Sequence, residues 1–228
     1  MKKNRKIRIF MTLTSLMFLA MSYFSRALEK ETALDAKVKA FLDKMKYEWT
    51  DLNVPEADGK LMYDLIIKNN YKSVLELGTS TGHSGLWIAW ALSKTGGKLT
   101  TVEIDEGLYQ KALANFKEAG LSDYIDARFA DAHQLVEELK GPFDFVFIDA
   151  DKDWYTNYAK ALIPKLEAGG CIAAHNVFEP RPGWRGGGYG GGYYEYMKSL
   201  AEFETSMLAV GSTLAVSYKK EGQLKNRP

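Results

Sequence analysis

The segment from Ser73 to Ser84, S-V-L-E-L-G-T-S-T-G-H-S, constrains the fold more than any other part of the chain. It begins with a short apolar run typical of a buried strand, breaks at Gly78, and turns. After Gly82 it continues as a segment whose apolar residues have helical spacing. The pattern predicts a strand, a glycine loop and a helix whose first N–H groups face an anionic ligand group.

The glycine spacing in this loop differs from that of dinucleotide-binding sites. Gly78 and Gly82 are separated by three residues, whereas dinucleotide-binding folds use G-x-G-x-x-G. Glu76 also places a carboxylate one residue before the strand ends. An acid before the turn and amides after it suit a zwitterion such as the methionine end of S-adenosylmethionine. The alternative is an ordinary strand-to-helix turn, and this segment alone leaves both interpretations open.

Apolar runs typical of strands alternate with helical patterns along the chain. Strands are predicted at 73–77, 98–104, 124–129, 143–149 and 169–174, and helices at 83–95, 106–119, 132–139 and 153–166. Such alternation predicts a parallel sheet with helices on both faces and ligands at the carboxyl ends of its strands. Two amphipathic helices precede this region, the second starting at Pro55. A hairpin at 207–218 follows it.

Composition sets bounds on the partners and the chemistry. The 228 residues are 46% hydrophobic and 26% charged, as expected for one globular α/β domain. Residues 1–27 contain six basic residues and no acidic one, so the remainder has a net charge of −5 and no general attraction for nucleic acid. Cys171 is the only cysteine, which excludes an intrachain disulfide and a cysteine metal cluster.

Residues 1–27 are predicted to be a secretory signal peptide, followed by a single domain at 28–228. A basic start precedes the uncharged Ile9–Ser25, and Ser25 and Ala27 are small residues suited to a cleavage site. An uncleaved membrane anchor is the alternative. Both interpretations place the domain outside the cytoplasm, periplasmic, secreted or attached to the membrane. A later translation start would leave it cytoplasmic.

Acidic residues are predicted at the ends of the second and third strands. Glu103, in T-V-E-I-D, lies where nucleotide-binding folds hold a ribose diol. Asp105 is predicted to be the N-cap of the next helix. Asp131 and Ala132, in F-A-D-A-H, follow the third strand where adenine can bind. For Asp131 a helix cap is an equal alternative.

Charged and polar residues end the fourth and fifth strands. The fourth runs F-D-F-V-F-I-D-A-D-K, so Asp149 and Lys152 follow its apolar part, and the fifth ends in His175 and Asn176. If these strands are neighbours, Asp149, His175 and Asn176 meet and can hold a hard or borderline divalent cation. The alternative is a solvated, acid-rich helix start capped by Asp151 or Asp153. The glycine-rich segment 178–193 is predicted to be a loop, either a lid or an insertion without a role.

Together these segments resemble the class I S-adenosylmethionine-dependent methyltransferases, and among them the small O-methyltransferases of the caffeoyl-CoA and catechol type. The resemblance runs from about Val54 to Lys219. It is carried in order by V-P-E-A-D-G-K-L-M, E-L-G-T-S-T-G-H-S, T-V-E-I-D, F-D-F-V-F-I-D-A-D-K-D-W-Y and V-G-S-T-L-A-V-S-Y. It implies a Rossmann-like fold with a mostly parallel seven-stranded sheet, an antiparallel C-terminal hairpin and helices on both faces.

The resemblance also implies a reaction and the residues that perform it. S-adenosylmethionine would donate a methyl group to a hydroxyl of a small, aromatic acceptor, with Lys152 as general base. Asp149, His175 and Asn176 would hold a divalent metal such as Mg²⁺. The family usually has Asp at the position of His175, so the metal requirement stays open, and in a metal-free site His175 is the alternative base. The predicted cofactor-binding residues are Glu76, Gly78, Thr79, Gly82, Ser84, Glu103, Asp131, Ala132 and Asp149.

Two further functions compete with this interpretation. One is an exported binding protein that keeps the methyltransferase fold without catalysis. The other is an NAD-dependent dehydrogenase, which the missing G-x-G-x-x-G pattern disfavours. A homodimer is expected from the resemblance. The sequence does not identify the acceptor.

Overall fold

The structure is a computed structural model that describes residues 32–49, 52–178 and 191–221. The predicted leader at 1–27 and most of the predicted glycine-rich loop lie outside the described residues, and the expected homodimer also stays a prediction. No helix within the described ranges is long and apolar enough to cross a bilayer.

Seven helices and seven strands make up the described part of the chain, apart from short 3₁₀ turns. The helices are α1 (Ala33–Met45), α2 (Glu56–Asn69), α3 (His83–Thr95), α4 (Glu106–Ala119), α5 (Ala132–Glu138), α6 (Tyr155–Leu162) and α7 (Gly191–Ser199). The strands are β1 (Ser73–Leu77), β2 (Lys98–Glu103), β3 (Ile125–Phe129), β4 (Phe143–Ile148), β5 (Leu166–His175), β6 (Phe203–Ala209) and β7 (Thr213–Lys219).

The strands form one sheet in the order β3-β2-β1-β4-β5-β7-β6. The first five strands are parallel, and β7 runs antiparallel to both of its neighbours. The predicted fold class is therefore confirmed. The hairpin begins at Phe203, earlier than the predicted 207, because Phe203 pairs with Lys219 at the far end of β7.

The core lies on both faces of the sheet, which explains why the central strands are apolar without alternation. In β4, Phe145 and Phe147 belong to the buried cluster that includes side chains of α1 to α4, whereas Val146 and Ile148 belong to the cluster that includes side chains of α5 to α7. All four side chains are fully buried. The same local apolar pattern thus serves two helical layers.

β1 and β4 are neighbours in the sheet. After β1 the chain adds β2 and β3 on one side of β1, and it then returns to add β4 and β5 on the other side, so the strand order reverses between β1 and β4. Ligands of doubly wound sheets bind in the crevice outside the carboxyl ends of such strands. Gly78, at the end of β1, makes the crevice possible because its φ is +96° and an added Cβ would lie 2.4 Å from the backbone oxygen of Asp149. A side chain there would push the β1 loop away from the end of β4.

Candidate active site

The loop after β1 is anchored to the end of β2. The N–H groups of Gly78 and Thr79 both donate to the carbonyl oxygen of Val102, at 3.1 Å each. The hydroxyl groups of Thr79 and Thr101 are 2.5 Å apart. Gly82, with φ of 94°, caps α3 in the left-handed region. These contacts hold the N-terminus of α3 toward the carboxyl edge of the sheet.

Glu76 is fully buried beneath this loop. Thr101 Oγ1 donates to its Oε2 at 2.6 Å. Its Oε1 has no hydrogen-bond partner. The pKa of Glu76 is raised to about 7, mainly by burial; the nearby charges of Asp149 and Glu103 add to the rise, and Ser84 and Thr101 oppose it. An unpartnered, buried carboxylate oxygen is suited to a cationic donor.

A cavity of about 400 Å³, here called the first cavity, opens at the carboxyl ends of β1 to β4. Five predicted cofactor-binding residues line it: Gly78, Glu103, Asp131, Ala132 and Asp149. The other four, Glu76, Thr79, Gly82 and Ser84, do not line it and lie in the buried loop and helix start beside it. The roles predicted for all nine in cofactor binding stay predictions.

Glu103 lines the first cavity and also organises its rim. Its Oε2 accepts from the Ser80 N–H at 2.7 Å, and its Oε1 accepts from the N–H groups of Ile104 and Asp105, both at 2.9 Å. Asp105 accepts from the Leu108 N–H at 2.9 Å, so the predicted helix cap is confirmed. The Glu103 carboxylate is therefore held in place by the backbone before a ligand arrives.

Asp131 is the predicted helix cap, and its place beside adenine stays a prediction. It caps α5 by accepting from the His133 N–H at 2.8 Å, and it also lines the first cavity. His133 was not predicted as a site residue, although it follows in the same F-A-D-A-H run. Its ring stacks on Trp154 with centroids 4.0 Å apart, and its Nε2 is 3.2 Å from Asp151 Oδ2.

Four polar side chains meet where β4 and β5 end, as the strand order allows. Lys152 Nζ donates to Asp149 Oδ1 and, at 2.7 Å, to the hydroxyl oxygen of Tyr155. The Tyr155 hydroxyl donates to the carbonyl oxygen of His175 at 3.1 Å. On the other side of the carboxylate, Asp149 Oδ2 is 3.0 Å from His175 Nδ1. The Asp149 carboxylate thus lies between two basic side chains.

Asp58, on α2, completes this cluster, and the sequence analysis did not single it out. Its side chain is fully buried and accepts from the N–H of Gly211 at 3.0 Å and the N–H of Ser212 at 3.2 Å. The Ser212 hydroxyl lies 2.5 Å from Asp58 Oδ2 and 2.7 Å from His175 Nε2. The same nitrogen of His175 is 3.3 Å from Asp58 Oδ2. Asp58 therefore ties α2 to the β6–β7 turn and to His175.

In Asp58 and in His175, hydrogen bonds affect the pKa more than burial does. Burial alone would raise the pKa of Asp58, but hydrogen bonds from His175 and Ser212 hold it at about 2. Burial alone would lower the pKa of His175, but the carboxylates of Asp149 and Asp58 outweigh burial and raise it. His175 is only 4% exposed, and its two ring nitrogens face these carboxylates.

Replacing Asp58 with asparagine is expected to lower the free energy of unfolding at pH 7 by about 3 kcal/mol, because it leaves buried His175 without its carboxylate partner on α2. The depressed pKa of Asp58 means that its contribution is present above pH 4 and is lost as the pH falls through about 2. Urea unfolding at pH 7 measures the effect. Exposed Asp64→Asn is the control, and equal stability of the two variants would contradict the role of Asp58.

A second cavity, of about 430 Å³, lies on the other side of the Asp149–His175 contact, because Asp149 lines the first cavity and His175 lines the second. Its wall is aromatic, with the rings of Trp49 and His83 stacked at 4.4 Å and the Trp87 indole beside them. Asn176 also lines it, with a left-handed φ of 55°.

His83 has a structural part in this wall. Its Nδ1 donates to the carbonyl oxygen of Val54 at 2.8 Å, and its Nε2 accepts from Trp87 Nε1 at 3.1 Å. Burial lowers the pKa of His83 to about 4, so the ring is neutral near pH 7. Both ring nitrogens of His83 are hydrogen-bonded, so His83 presents the flat face of its ring to the cavity.

Metal binding at Asp149, His175 and Asn176 stays a prediction, and the buried Nδ1 of His175 has no hydrogen-bond partner. Both oxygens of Asp149 face basic groups, and both ring nitrogens of His175 face carboxylate oxygens. Within the described ranges, no group of three or more His, Cys, Asp or Glu side chains is arranged to hold a metal ion.

The fold and the crevice between β1 and β4 define a Rossmann-like methyltransferase architecture. The chain belongs to the O-methyltransferase family, whose model matches residues 26–186. It is 37% identical over 137 residues to caffeoyl-CoA O-methyltransferase 1 of Eucalyptus globulus, covering 58% of this chain and 55% of the relative.

Two further comparisons agree with this assignment. Catechol O-methyltransferase of Niastella koreensis is 40% identical over 130 residues, covering 55% of this chain and 58% of the relative. The chain thus matches just over half the length of these two curated relatives. The crystal structure of an O-methyltransferase from Bacillus cereus in complex with SAH superposes with a TM-score of 0.69 at 25% identity, covering 87% of this chain and 96% of that one.

Proposed function

We propose that this protein transfers a methyl group from S-adenosylmethionine to a hydroxyl group of a small aromatic acceptor. The observation that carries the proposal is the pair of cavities on either side of the Asp149–His175 contact, with Lys152 bound to the same carboxylate. One cavity suits a nucleoside-containing donor and the other a flat acceptor. Membership of the O-methyltransferase family supports the reaction class.

The first cavity and the loop beside it fit S-adenosylmethionine. Glu103 would accept hydrogen bonds from the ribose hydroxyls, and Asp131 and Ala132 would lie along the adenine. The unpartnered Oε1 of Glu76 would accept from the ammonium group, while the N-terminus of α3 favours the carboxylate. When bound, this cofactor supplies a methyl group on a positively charged sulfur.

The second cavity would hold the acceptor. The stacked rings of Trp49 and His83 offer a flat apolar surface of the kind that binds aromatic ligands. Lys46 and Glu56 line the same cavity and supply polar contacts. This arrangement orients a hydroxyl group toward the Asp149–His175 side, so the reacting groups of donor and acceptor would approach each other.

Lys152 is the proposed general base. Its amine is positioned by Asp149 and by the Tyr155 hydroxyl, and its side chain is 23% exposed, whereas His175 is buried. In its neutral form Lys152 would accept the proton of the acceptor hydroxyl at Nζ, leaving a negatively charged oxygen to attack the methyl carbon. Asp149 would then stabilise the resulting ammonium group.

Two measurements test this function. Calorimetry should show binding of S-adenosylmethionine and none of NAD, and a screen of catechols with the bound cofactor should show methyl transfer by mass spectrometry. Failure to bind S-adenosylmethionine would refute the proposal. Binding without transfer to any hydroxylated acceptor would favour a binding protein that keeps the fold without catalysis.

We expect Glu103→Gln to weaken binding of S-adenosylmethionine by about tenfold to a hundredfold, because hydrogen bonds to a charged group are worth about 1.5–3 kcal/mol. Calorimetry on the variant measures this change. Asp105→Asn is the matched control, since asparagine also caps helices and Asp105 belongs to the same turn without lining the cavity. An equal loss in both variants would point to distortion of the turn and would count against a ribose contact.

A further inference from the structure

We propose that the acceptor of this protein carries a second, uncharged ring, which binds in a third cavity next to the second one. The third cavity has a volume of about 560 Å³ and is lined by residues of α1, α2 and α3. The inference rests on the proposed function, since it takes the second cavity as the site of the reacting ring. It adds a subsite and narrows the acceptor to molecules longer than a single phenol ring.

The second and third cavities follow one another along one face of α3. His83 and Trp87 line the second cavity, whereas Trp87, Trp90 and Lys94 line the third. These four residues have helical spacing, so they lie on the same face of the helix. The rise from His83 to Trp90 is about 10 Å, a span that two rings joined by a short bridge can cover.

The other two helices give the same order. Lys39 on α1 lines only the third cavity, Leu42 lines both, and Trp49, beyond the end of α1, lines only the second. On α2, Glu56 lines both cavities and Tyr63 only the third. The two cavities are therefore neighbouring parts of one groove between these helices. This continuity with the proposed acceptor site makes the acceptor itself the occupant of the third cavity.

Trp87 forms the junction between the two cavities and is held in one orientation. Its Nε1 donates to His83 Nε2 at 3.1 Å. An added Cβ at Gly59 would lie 2.2 Å from Cδ1 of the indole, so the ring lies directly against the backbone of α2. The indole is also only 8% exposed. A ligand at this junction meets a preformed surface, and little free energy is lost in ordering the site.

Aromatic rings continue from this junction into the third cavity. The Trp90 ring lies 5.5 Å from the Trp87 ring and 5.0 Å from the Tyr63 ring, centroid to centroid. Trp90 Nε1 donates to Asp35 Oδ1 at 2.7 Å, so the indole N–H is already hydrogen-bonded. The separations are those at which aromatic rings attract each other, and such a cluster suits a further ring as its neighbour.

The charges of the third cavity point to an uncharged ring. Four acidic side chains and three lysines line the cavity, so neither an anionic nor a cationic group gains a strong net attraction there. Two of these lysines are also paired within the protein. Lys94 Nζ lies 2.5 Å from Asp35 Oδ1, and Lys60 Nζ lies 2.7 Å from Asp64 Oδ2.

The test compares catechol with a catechol joined to a phenyl ring by a two-carbon bridge, each titrated by calorimetry into the full-length protein with S-adenosylhomocysteine present. The two-ring probe is expected to bind about tenfold more tightly, because burying about 60 Å² of its second ring is worth that factor. Tyr63→Ala should lose this advantage and leave the affinity for catechol unchanged. Tyr109→Ala is the matched control and should keep both affinities, because Tyr109 is also partly buried but lines none of the three cavities.

Equal affinity of the wild type for the two probes would overturn the inference, and so would an advantage that Tyr63→Ala retains. If Tyr63→Ala fails to fold, NMR of the wild type decides the question. The second ring should give intermolecular NOEs to the indole protons of Trp90, assigned by comparison with Trp90→Phe, and their absence would count against the subsite. A sulfonate on the second ring should weaken binding, whereas tighter binding would contradict an uncharged tail.

Methyl transfer tests the proposed function separately. Transfer to catechol with no preference for the two-ring probe would leave the proposed function intact and would refute the subsite. Tighter binding of the two-ring probe without transfer to either compound would support the subsite as a binding site and would refute the proposed reaction. The two failures are therefore distinguishable.

Discussion

Replacing Lys152 with methionine is expected to lower the rate of methyl transfer by about a thousandfold, within the range typical of a lost general base. The affinity for S-adenosylmethionine should change little, because Lys152 does not line the first cavity. The rate is measured at saturating cofactor and acceptor, and the affinity is measured by calorimetry. Removing the amine leaves Asp149 without one of its two basic partners, so both the proton acceptor and a local charge are lost.

Lys152→Arg separates these two contributions. Arginine keeps the positive charge but does not accept a proton near neutral pH. If Lys152 is the base, the arginine variant should be as slow as the methionine variant, whereas a purely electrostatic role would leave most of the rate in the arginine variant. Lys160→Met, on α6 where Lys160 lies over the Tyr196 ring, is the control and should retain wild-type rates. Full activity of Lys152→Met would refute the role of Lys152.

Replacing Glu76 with glutamine is expected to change stability and cofactor affinity in opposite directions. The folded-state pKa of about 7 lies above the value of 4.5 for an unperturbed glutamate, so the folded protein binds an extra proton between these two values. Stability therefore falls as the pH rises from 4.5 to 7, by about 3 kcal/mol in all. Glutamine removes this penalty, while its unpartnered amide costs about 1 kcal/mol.

The variant without ligand should therefore be about 2 kcal/mol more stable than wild type at pH 8 and slightly less stable at pH 4.5. Urea unfolding at the two pH values measures both effects. A variant that is not stabilised at pH 8 would show that the buried carboxyl does not carry the expected penalty. The reversal of sign with pH distinguishes loss of a buried charge from a general change in packing.

The same substitution should weaken binding of S-adenosylmethionine by about tenfold to a hundredfold, because a charged acceptor for the ammonium group is lost. Wild-type affinity should increase as the pH rises through 7 and Glu76 ionises, and the affinity of the variant should not follow this trend. Asp144→Asn is the matched control. Asp144 is half-buried, and it accepts from the backbone N–H groups of Lys72 and Ser73 at the start of β1, at the opposite end of the strands from Glu76. Unchanged cofactor affinity in Glu76→Gln would refute the ammonium contact.

The sheet and its helices were predictable because their signals are local. The apolar runs of β1 and β4 and the helical spacing after Gly82 depend only on neighbouring residues, and the predicted bounds of α3 and α4 are those found. The differences lie at element ends. β5 begins at Leu166 instead of 169, because pairing with β4 extends it through residues that carry no strand pattern of their own.

Several site residues were predictable for a related reason. Parallel strands bring their carboxyl ends to one edge, so acids that end β1, β2 and β4 had to lie near one another. What this rule does not decide is the partner of each acid. Glu103 is already held by three backbone N–H groups, and Glu76 lies buried beneath the loop, where Thr101 donates to one of its carboxylate oxygens and the other has no partner.

The sequence by itself thus determined the order of strands and helices, the glycine loop and the edge at which the chemistry gathers, because each is set by short-range pattern or by strand direction. Only the tertiary structure decided what surrounds His175. Asp58 is 117 residues away in the chain, and its contact with His175 depends on how α2 and the β6–β7 turn pack against the end of β5. The spacing of Gly78 and Gly82 predicts the loop after β1, whereas the contacts of His175 with Asp58, Ser212 and Asp149 form only in the folded chain.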